Sequence, residues 1–174
     1  MDFSDVVRNR HSIRRYQARE LEQEKLDTLL DTINAAPSAG DLQAYAVVLV
    51  RDTQGKQALA TAAHGQTFLA EAPLVLVFCA DHLRSAGKYG KRGAELYAIQ
   101  DATIAAAYCQ LAATALGLAT VWVGAFDAEA AAAVLEAPNH VTPVAIIPVG
   151  YPAEEPSSTP RRQLDDLVRL EKFR

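Results

Sequence analysis

The sequence predicts a single α+β domain, in which short strands alternate with helices around one core. Its 174 residues suit one domain, and nothing in the composition divides the chain, so we expect one domain over residues 1–174. Half of the residues are hydrophobic and 22% are charged, which allows a packed core and argues against disorder. Segments with helical periodicity also alternate with short β-branched runs along the chain.

Two helices are predicted at the start of the chain. FSDVVRNR (3–10) predicts a short helix, with Asp2 or Ser4 available as its N-cap. LEQEKLDTLLDTINAA (21–36) predicts a longer helix, because its apolar residues recur at i, i+3, i+4 and i+7. A proline and a glycine then end this helix in the loop PSAGDLQ (37–43).

Two buried strands are predicted next, AVVLV (46–50) and PLVLVFCA (73–80), with a small helix over 54–64 between them. The segment GKYGKRG (87–93) that follows is basic and glycine-rich, and it predicts a mobile loop. Two interpretations of this loop stay open. It is either a solvated connection or a lid whose glycines and cations contact a phosphate.

The longest predicted helix is ELYAIQDATIAAAYCQLAATALGL (95–118). It is apolar on more than one face, which is typical of a buried helix, and its alanines permit the close approach that a central or subunit-interface helix needs. The remaining segments predict a strand over 119–124, a helix over 127–136 capped by Asp127, a strand over 144–150, a connector over 151–160 and a last helical turn in the tail from 163.

Charge and cysteine content exclude several classes of function. A formal net charge of −4 argues against general nucleic-acid binding. Cys79 and Cys109 lie in apolar surroundings without CxxC spacing, as expected of buried free thiols in a reducing compartment. The N-terminus lacks the apolar run of a signal peptide, and no window reaches ~18 uninterrupted apolar residues. We therefore expect a cytoplasmic protein that binds neither nucleic acid nor membrane.

The common catalytic motifs are absent from the sequence. It contains no GxGxxG after a strand, no GxxxxGK[ST], no GxSxG and no HExxH. Asp81 and His82 follow a strand and could begin a metal site, but the spacing of further ligands is missing, so an ordinary loop is the favoured interpretation. We expect no metal and no side-chain nucleophile.

Positive charge is concentrated in one stretch, RNRHSIRRY (8–16), which contains four arginines. Arg10, Ser12 and Arg14 alternate, so in an extended segment they would project to the same side. Two guanidinium groups and a hydroxyl on one side suit a phosphate monoester. The alternative is that these arginines are solvated cations near a helix end, which is what we expect of Arg8 and Arg15.

Four separated segments together resemble the nitroreductase family of FMN-dependent oxidoreductases. RHSIRRY (10–16) is similar to the family's Arg-x-Ser-x-Arg/Lys start, and APSAGDLQAY (36–45) to its Pro-Ser-x-x-Asn-x-Gln-Pro-Trp loop. The third segment is QDATIAAAYCQLAATALGLATVWVGAF (100–126), and the fourth is PVAIIPVGYPAEEP (143–156) with the Pro-Arg-Arg that follows at 160–162. The resemblance spans almost the whole chain. It implies a three-layer sandwich with a mainly antiparallel central sheet flanked by helices, in an intertwined homodimer with FMN at the interface.

The resemblance implies a phosphate site made from both ends of the chain. Arg10, Ser12 and Arg14 would hold the FMN phosphate and nearby ribityl oxygens, and His11 would add main-chain contacts. The C-terminal segment would complete the site through Arg161 and Arg162.

The resemblance also implies which residues surround the isoalloxazine ring. Pro37, Ser38 and Ala39 would lie against the ring from the other subunit. The turn at Gly124 and Ala125 matches the one whose backbone N–H groups approach flavin N5 and O4, and Gln66 is a candidate for the polar edge of the ring.

Three departures from the family pattern stand out. Asp41 replaces the usual asparagine, Ala44-Tyr45 replaces Pro-Trp, and Thr159 replaces a lysine. Because a carboxylate next to the ring would disfavour an anionic reduced flavin, we do not expect Asp41 to contact it directly.

The function implied is that of an FMN-dependent enzyme that takes hydride from NADH or NADPH and reduces nitroaromatics, quinones or related small-molecule acceptors by a ping-pong mechanism. Two alternatives remain. One is a specialised flavin enzyme of the same fold, such as a dehydrogenase or a reductive dehalogenase, and the other is a non-catalytic nucleotide-binding module.

Overall fold

The computed structural model describes residues 1–157 and 159–173. Its helices are α1 (Phe3–Asn9), α2 (Gln23–Asn34), α3 (Thr53–Ala62), α4 (Phe68–Glu71), α5 (His82–Arg92), α6 (Ala98–Ala115), α7 (Ala128–Val134) and α8 (Leu164–Leu167). Its strands are β1 (Tyr45–Val50), β2 (Leu74–Asp81), β3 (Ala119–Thr120) and β4 (Val141–Gly150). The predicted connector and tail each include one residue outside the described range, Ser158 and Arg174.

The four strands form one sheet in the order β1-β2-β4-β3, and all three pairings are antiparallel. β2 and β4 are central, and β1 and β3 form the two edges. At one end of the sheet, Tyr45 of β1 pairs with Ala80 of β2. At the other end, Thr120 of β3 pairs with Val149 of β4. The loop of residues 37–43 leads into the first of these ends, and the segment of residues 10–16 lies at the second.

Helices cover both faces of the sheet because the central strands are apolar on both sides. Leu74, Leu76 and Phe78 of β2 pack with α2 and α6. The alternate residues Val75, Val77 and Cys79 pack with α3 and α7 on the opposite face. This period-two division confirms the predicted three-layer α+β sandwich.

Helix α6 runs through the largest core cluster, as its composition predicted. It extends over 18 residues, about 27 Å at ~1.5 Å per residue. Half of its residues are buried, most of them alanines. It begins later than predicted, because Gly93–Tyr97 form a π-helical turn before it. Gly117, at φ 72°, follows its last turn in the left-handed conformation that commonly ends a helix.

The prediction of a mobile loop over 87–93 is wrong, since these residues form the second half of α5 and the start of the π-helical turn. The Asp81 carboxylate caps α5 by accepting from the Arg84 N–H at 2.9 Å. Gly90, at φ 55°, bends the helix. Glycines in a basic segment usually indicate a loop, which is why a loop was predicted here. The nearby Gly93 packs tightly on the main chain of Ser85, so the segment folds back on itself.

The predicted strand over 119–124 is shorter than expected. Ladder pairing covers only β3, and a single further bridge joins Val123 to Ile146. This bridge keeps the register of β3 with β4, so the chain stays extended up to Gly124. The predicted caps of α1 and α7 are confirmed, because Asp2 accepts from the Asp5 N–H and Asp127 from the Glu129 and Ala130 N–H groups.

Both cysteines are free and buried, as predicted. Burial raises the pKa of the Cys79 thiol to about 11 and that of Cys109 to about 12. Among the described residues, no helix is both long enough and apolar enough to cross a bilayer.

Candidate functional site

The arginine segment, residues 10–16, lies extended beside β3. The Ile13 N–H donates to the Thr120 carbonyl at 3.0 Å, and Tyr16 bridges to Pro152. Ile13 and Tyr16 are buried, whereas Ser12 and Arg14 are exposed. The segment is therefore extended, which is the condition under which Arg10, Ser12 and Arg14 were expected to project to the same side.

An anionic group already lies against this segment. The main-chain N–H of Arg14 donates to the Glu154 carboxylate at 2.5 Å. The open cavity beside it has a volume of about 500 Å³ and is lined in part by His11, Ile13, Thr114 and Glu154. The Arg14 N–H thus donates to an anionic oxygen beside a cavity that is large enough for a ligand.

The arginines of the segment differ in their surroundings. Arg8 forms an exposed ion pair with Asp5 on its own helix, at 2.9 Å. Arg10 is the half-buried C-cap residue of α1, in an extended conformation. Among the described residues, no salt bridge engages Arg10 or Arg14. Their guanidinium groups are therefore available for an external anion, whereas that of Arg8 is engaged.

The turn at Gly124 and Ala125 lies on the same edge of the sheet and contacts Gln66. The Gln66 amide donates to the carbonyls of Ala125 at 3.1 Å and Ala63 at 3.0 Å. Gly124 is exposed, and a Cβ placed there would lie 3.1 Å from the Trp122 indole nitrogen. The structure therefore brings together three of the residues that the resemblance places at the ring.

The arginine segment and this turn are close along the sheet. Ser12 bridges to Thr120, which pairs with Val149, and Val123 pairs with Ile146. These two rows are three residues of β4 apart, roughly 10 Å at ~3.3 Å per residue. One edge of the sheet therefore carries Arg10, Ser12, Arg14, Gly124, Ala125 and Gln66.

The ring loop, residues 37–43, follows α2 and adopts an unusual backbone. Gly40 and Asp41 both have φ 58°, and Gln43 has φ 47°. For the two non-glycine residues such angles cost on the order of 1–3 kcal/mol each, and they cluster at functional sites. The Ser38 hydroxyl supports the loop by accepting from the Gln43 N–H at 2.8 Å.

Asp101 of α6 holds the ring loop from below. Asp101 is only 2% exposed, and its carboxylate accepts from the main-chain N–H groups of Ala39 at 2.9 Å and Ala44 at 3.3 Å. No role at this loop was predicted for Asp101 from the sequence. A carboxylate in an otherwise apolar helix was the signal that could have identified its role, because a buried charge requires donors.

The ring loop lies far from the arginine segment of the same chain. It leads into Tyr45 at the β1 edge, whose row reaches Thr142 of β4 through Ala80. Seven residues of β4 separate that row from Val149, roughly 23 Å, and the two edges are three strand spacings apart, roughly 14 Å. Pro37, Ser38 and Ala39 therefore do not meet Arg10, Ser12, Arg14 or Gly124 within one chain.

The two C-terminal arginines are also separate from the arginine segment. Arg161 donates to the Thr159 carbonyl at 3.4 Å, and Arg162 donates to the Asp166 carbonyl. Within the residues that the structure describes, no hydrogen bond joins either of them to Arg10, Ser12 or Arg14.

His82 and Asp81 have structural partners. The two ring nitrogens of His82 lie 2.6 Å from the Ala94 carbonyl and 2.9 Å from the Thr142 hydroxyl, and the Asp81 carboxylate caps α5. Over residues 1–157 and 159–173, no three metal-ligating side chains cluster in a way that could hold an ion.

Comparison with known proteins gives a consistent family. The family model described as the nitroreductase family matches residues 7–68 and 62–151. The chain is 32% identical over 195 residues to the NADH dehydrogenase of Thermus thermophilus, covering 97% of this chain and 95% of that protein. It is 30% identical over 170 residues to the FMN reductase (NADPH) of Bacillus subtilis, covering 90% of this chain and 68% of the relative.

A solved structure agrees with these sequence matches. The NfrA1 nitroreductase from Bacillus subtilis superposes with a TM-score of 0.91 at 26% identity, covering 99% of this chain and 75% of that one. Together with the match of the family model over most of the chain, this places the predicted sandwich among known structures. The chain belongs to the nitroreductase family, a family of FMN-dependent NAD(P)H oxidoreductases.

Proposed function

We propose that two copies of this chain bind FMN between them, oxidise NADH or NADPH, and reduce nitroaromatics, quinones or related acceptors by a ping-pong mechanism. One observation carries the proposal above the others. Arg10, Ser12 and Arg14, which suit a flavin phosphate, lie at the β3 edge of the sheet together with the turn at Gly124. The ring loop, which suits the flat face of a flavin, lies at the opposite corner of the sheet.

The residues at the β3 edge fit a flavin phosphate. Arg10 and Arg14 supply two guanidinium groups, and the Arg14 N–H already donates to a carboxylate oxygen at 2.5 Å. Charge-assisted bonds from arginine to a phosphate oxygen are among the stronger hydrogen bonds in proteins. The Ser12 hydroxyl is exposed between the two arginines and is free to reach a ribityl or phosphate oxygen.

The turn at Gly124 and Ala125 fits the polar edge of a flavin ring. When bound, FMN supplies the group that accepts and returns the hydride, so the chain needs no nucleophile or metal of its own. The chain's part is to position that ring. Gln66 fixes the turn through the Ala125 carbonyl, and Gly124 leaves space for close approach of a planar group.

The distance between the two corners of the sheet supports a homodimer. The end of the ring loop, at Tyr45, lies roughly 23 Å along and roughly 14 Å across the sheet from the row of Val149 and Thr120 at the β3 edge of its own chain. A second copy can bring its ring loop to this chain's flavin, and the reverse contact follows by symmetry. Each of the two sites is then made of residues from both chains.

The C-terminal tail, residues 161–173, offers the surface for such a dimer. Leu164, Leu167, Val168, Leu170 and Phe173 are all between 55% and 93% exposed, which is unusual for five apolar side chains in so short a segment. An apolar cavity of about 460 Å³ between α1, α2 and α6 could receive apolar residues of a second copy. In this arrangement the tail would carry Arg161 and Arg162 to a phosphate.

The test begins with the absorbance spectrum of the purified protein. We expect a yellow protein whose flavin absorbance bleaches with NADH or NADPH under anaerobic conditions and returns when a nitro compound or a quinone is added. Free FMN belongs in the same panel of acceptors, because a relative is an FMN reductase. A protein that remains colourless after incubation with FMN would overturn the proposal.

The kinetic pattern separates the remaining alternatives. Parallel double-reciprocal plots for donor and acceptor are expected for a ping-pong reaction. Slow turnover with every acceptor would favour a specialised enzyme of the same fold, and ligand binding without oxidation of NADH or NADPH would favour a non-catalytic binding module.

A further inference from the structure

Helix α5 carries a concentration of positive charge that the flavin site described above does not use. Residues 82–92, HLRSAGKYGKR, contain four arginines and lysines and no aspartate or glutamate, in a chain with a net charge of −4. The four cations, Arg84, Lys88, Lys91 and Arg92, are all exposed, and together they are called the basic helix surface here.

The acidic groups near this surface neutralise little of its charge. Asp81 is engaged with the main chain at the start of the helix. Glu95 lies 3.7 Å from Lys91, but the two side chains are 65% and 84% exposed. An ion pair of that kind contributes roughly 0–1 kcal/mol, so Lys91 remains available to another anion.

The basic helix surface is in direct contact with the ring loop. Arg84 donates to the Leu42 carbonyl, and the Lys88 ammonium lies 3.5 Å from the Gly40 carbonyl. Gly40 is closely covered, because a Cβ placed there would lie 2.3 Å from the Tyr89 hydroxyl and 2.5 Å from the Lys88 ammonium. The first half of the helix and the loop therefore lie together. A flavin ring beside Pro37–Ala39 would have Arg84 and Lys88 near its rim, and Lys91 and Arg92 follow beyond the bend at Gly90.

The end of the surface is held by aromatic packing. Tyr89 and Tyr97 meet edge to face, with ring centroids 5.2 Å apart. Arg92 lies over Tyr97 at 5.4 Å and donates from Nε to its hydroxyl at 3.0 Å. Cations whose positions are fixed in this way lose less conformational freedom when they bind a ligand.

We propose that the basic helix surface binds the phosphate groups of NADPH, and that Lys88 and Lys91 give the enzyme a preference for NADPH over NADH through the 2′-phosphate. The inference rests on the proposed function, because it requires the ring loop to lie at the flavin. Neutral nitro compounds and quinones have no group that needs four cations. A 2′-phosphate monoester adds about 1.5 to 2 negative charges, and only NADPH carries it.

Matched charge reversals test this assignment in the flavin-loaded protein. The test variant is Lys91→Glu. The Lys91 side chain is 84% exposed and pairs weakly with Glu95, so its replacement should disturb the packing of the helix little. The control is Arg51→Glu, which changes the charge equally at an exposed position just after β1, at the end of that strand away from the ring loop. The readouts are the KM for NADPH and NADH in anaerobic flavin reduction and the Kd for NADP⁺ by calorimetry.

We expect the wild-type protein to favour NADPH, and Lys91→Glu to raise the KM for NADPH and the Kd for NADP⁺ on the order of tenfold, about 1.4 kcal/mol. The KM for NADH should change far less, and Arg51→Glu should change none of these values. Raising the salt concentration should weaken NADP⁺ binding to the wild type more than to Lys91→Glu.

Three results would overturn the assignment. The first is a wild-type preference for NADH, and the second is an equal KM for NADPH in the two variants. The third is a rise confined to the KM of an anionic acceptor such as free FMN, which would make the surface an acceptor site. If flavin is bound but neither nucleotide reduces it, the proposed function fails as well, whereas normal reduction with no change in preference overturns this inference alone.

Discussion

Arginines only two residues apart in the sequence occupy different environments in the folded chain. Arg8 is paired with Asp5 on the exposed side of α1, whereas Arg10 lies where the helix ends and the chain becomes extended. The charge of Arg8 is already satisfied locally, whereas no salt bridge within the described residues engages Arg10. The two positions therefore form a natural pair of test and control.

We expect Arg10→Ala to weaken FMN retention on the order of tenfold to a hundredfold, because a hydrogen bond to a charged group contributes about 1.5–3 kcal/mol. Arg8→Ala should leave retention close to that of the wild type. The measurement is the Kd for FMN by quenching of flavin fluorescence on addition of apoprotein. Equal retention in the two variants would contradict the phosphate assignment.

Asp101 shows how one buried carboxylate can fix a strained loop. It is nearly inaccessible, and its two oxygens accept from N–H groups at both ends of the ring loop. The backbone angles of Asp41 and Gln43 persist because the surroundings hold them in place. Removing an acceptor would leave an N–H group without its partner inside the protein.

We expect Asp101→Asn to lower the free energy of unfolding by about 1–3 kcal/mol, because the amide can offer only one acceptor oxygen to two donors. Urea denaturation measures the loss, and hydrogen exchange should increase at the N–H groups of Ala39 and Ala44 more than at those of α6. Thr103→Ala, on the same helix, removes a γ-methyl group and a hydroxyl that donates to the carbonyl of Ile99, without touching the loop, and serves as the control. An unchanged exchange rate in the loop would show that Asp101 does not hold it.

Two glycines determine the packing of helix α5 in different ways. Gly93 begins the π-helical turn, and a Cβ there would lie 2.5 Å from the Ser85 carbonyl oxygen. Gly87 lies inside the helix with open space around its Cβ position. The same substitution should therefore act in opposite directions at these two sites.

We expect Gly93→Ala to destabilise the protein by about 1–3 kcal/mol through overpacking against main-chain atoms that cannot move away. Gly87→Ala should stabilise it by roughly 0.5–1 kcal/mol, because alanine loses less backbone entropy in a helix. Urea denaturation of both variants gives the two values. If Gly93→Ala did not destabilise the protein, the close approach of the turn to α5 would be wrong.

The start of α2 is joined to the end of β4 by an acid-sensitive contact. Glu22 accepts from the Tyr151 hydroxyl and pairs with Arg19, and these bonds hold the pKa of its carboxyl at about 2, below the ordinary 4.5. Because the pKa is lowered in the folded state, the stabilisation is fully present above about pH 4.5 and is lost as the pH falls toward 2.

We expect Glu22→Gln to reduce the slope of unfolding free energy against pH between about pH 4.5 and 2, and to leave the slope near neutral pH unchanged. Urea midpoints measured across that range give the comparison. The effect should be small, since both members of the ion pair are about half exposed. If unfolding free energy depended on pH in acid as it does in the wild type, Glu22 would not contribute to the acid sensitivity of the protein.

At the scale of the whole molecule, the residues of the proposed flavin site lie at two corners of one sheet, and the tail exposes apolar side chains to solvent. The proposed homodimer would account for both features. Leu170 and Phe173 are 88% and 93% exposed, so they contribute little to the stability of a single subunit.

We expect the double substitution Leu170→Ser/Phe173→Ser to shift the protein from dimer toward monomer, with little change in far-ultraviolet circular dichroism. Light scattering coupled to size-exclusion chromatography measures the mass, and FMN retention should fall together with it. Leu83→Ser changes an equally apolar exposed residue on α5 and should keep the wild-type mass. A wild-type protein that is monomeric at micromolar concentration would contradict the homodimer.

The sequence was sufficient wherever local chemistry decided the structure. Periodicity located α2 and the two central strands, and aspartate caps placed the starts of α1 and α7. The inference that Arg10, Ser12 and Arg14 share one side required an extended segment, and the structure has one there. It failed over 87–93, because glycines that usually mark a loop here allow a bent helix to pack closely. The role of Asp101 was missed because its two donors come from residues about 60 positions earlier in the chain.

The sequence by itself determined the family, the layered fold and the residue types suited to a flavin phosphate, since these depend on patterns that lie within short segments. Only the tertiary structure decided which of those residues lie close together. It placed Gln66 against Ala125 and set the ring loop at the opposite corner of the sheet from Arg10, because strand order and register fix distances that no local pattern encodes. For the same reason, the four cations of α5 acquired a candidate ligand only when the structure placed their helix against the ring loop.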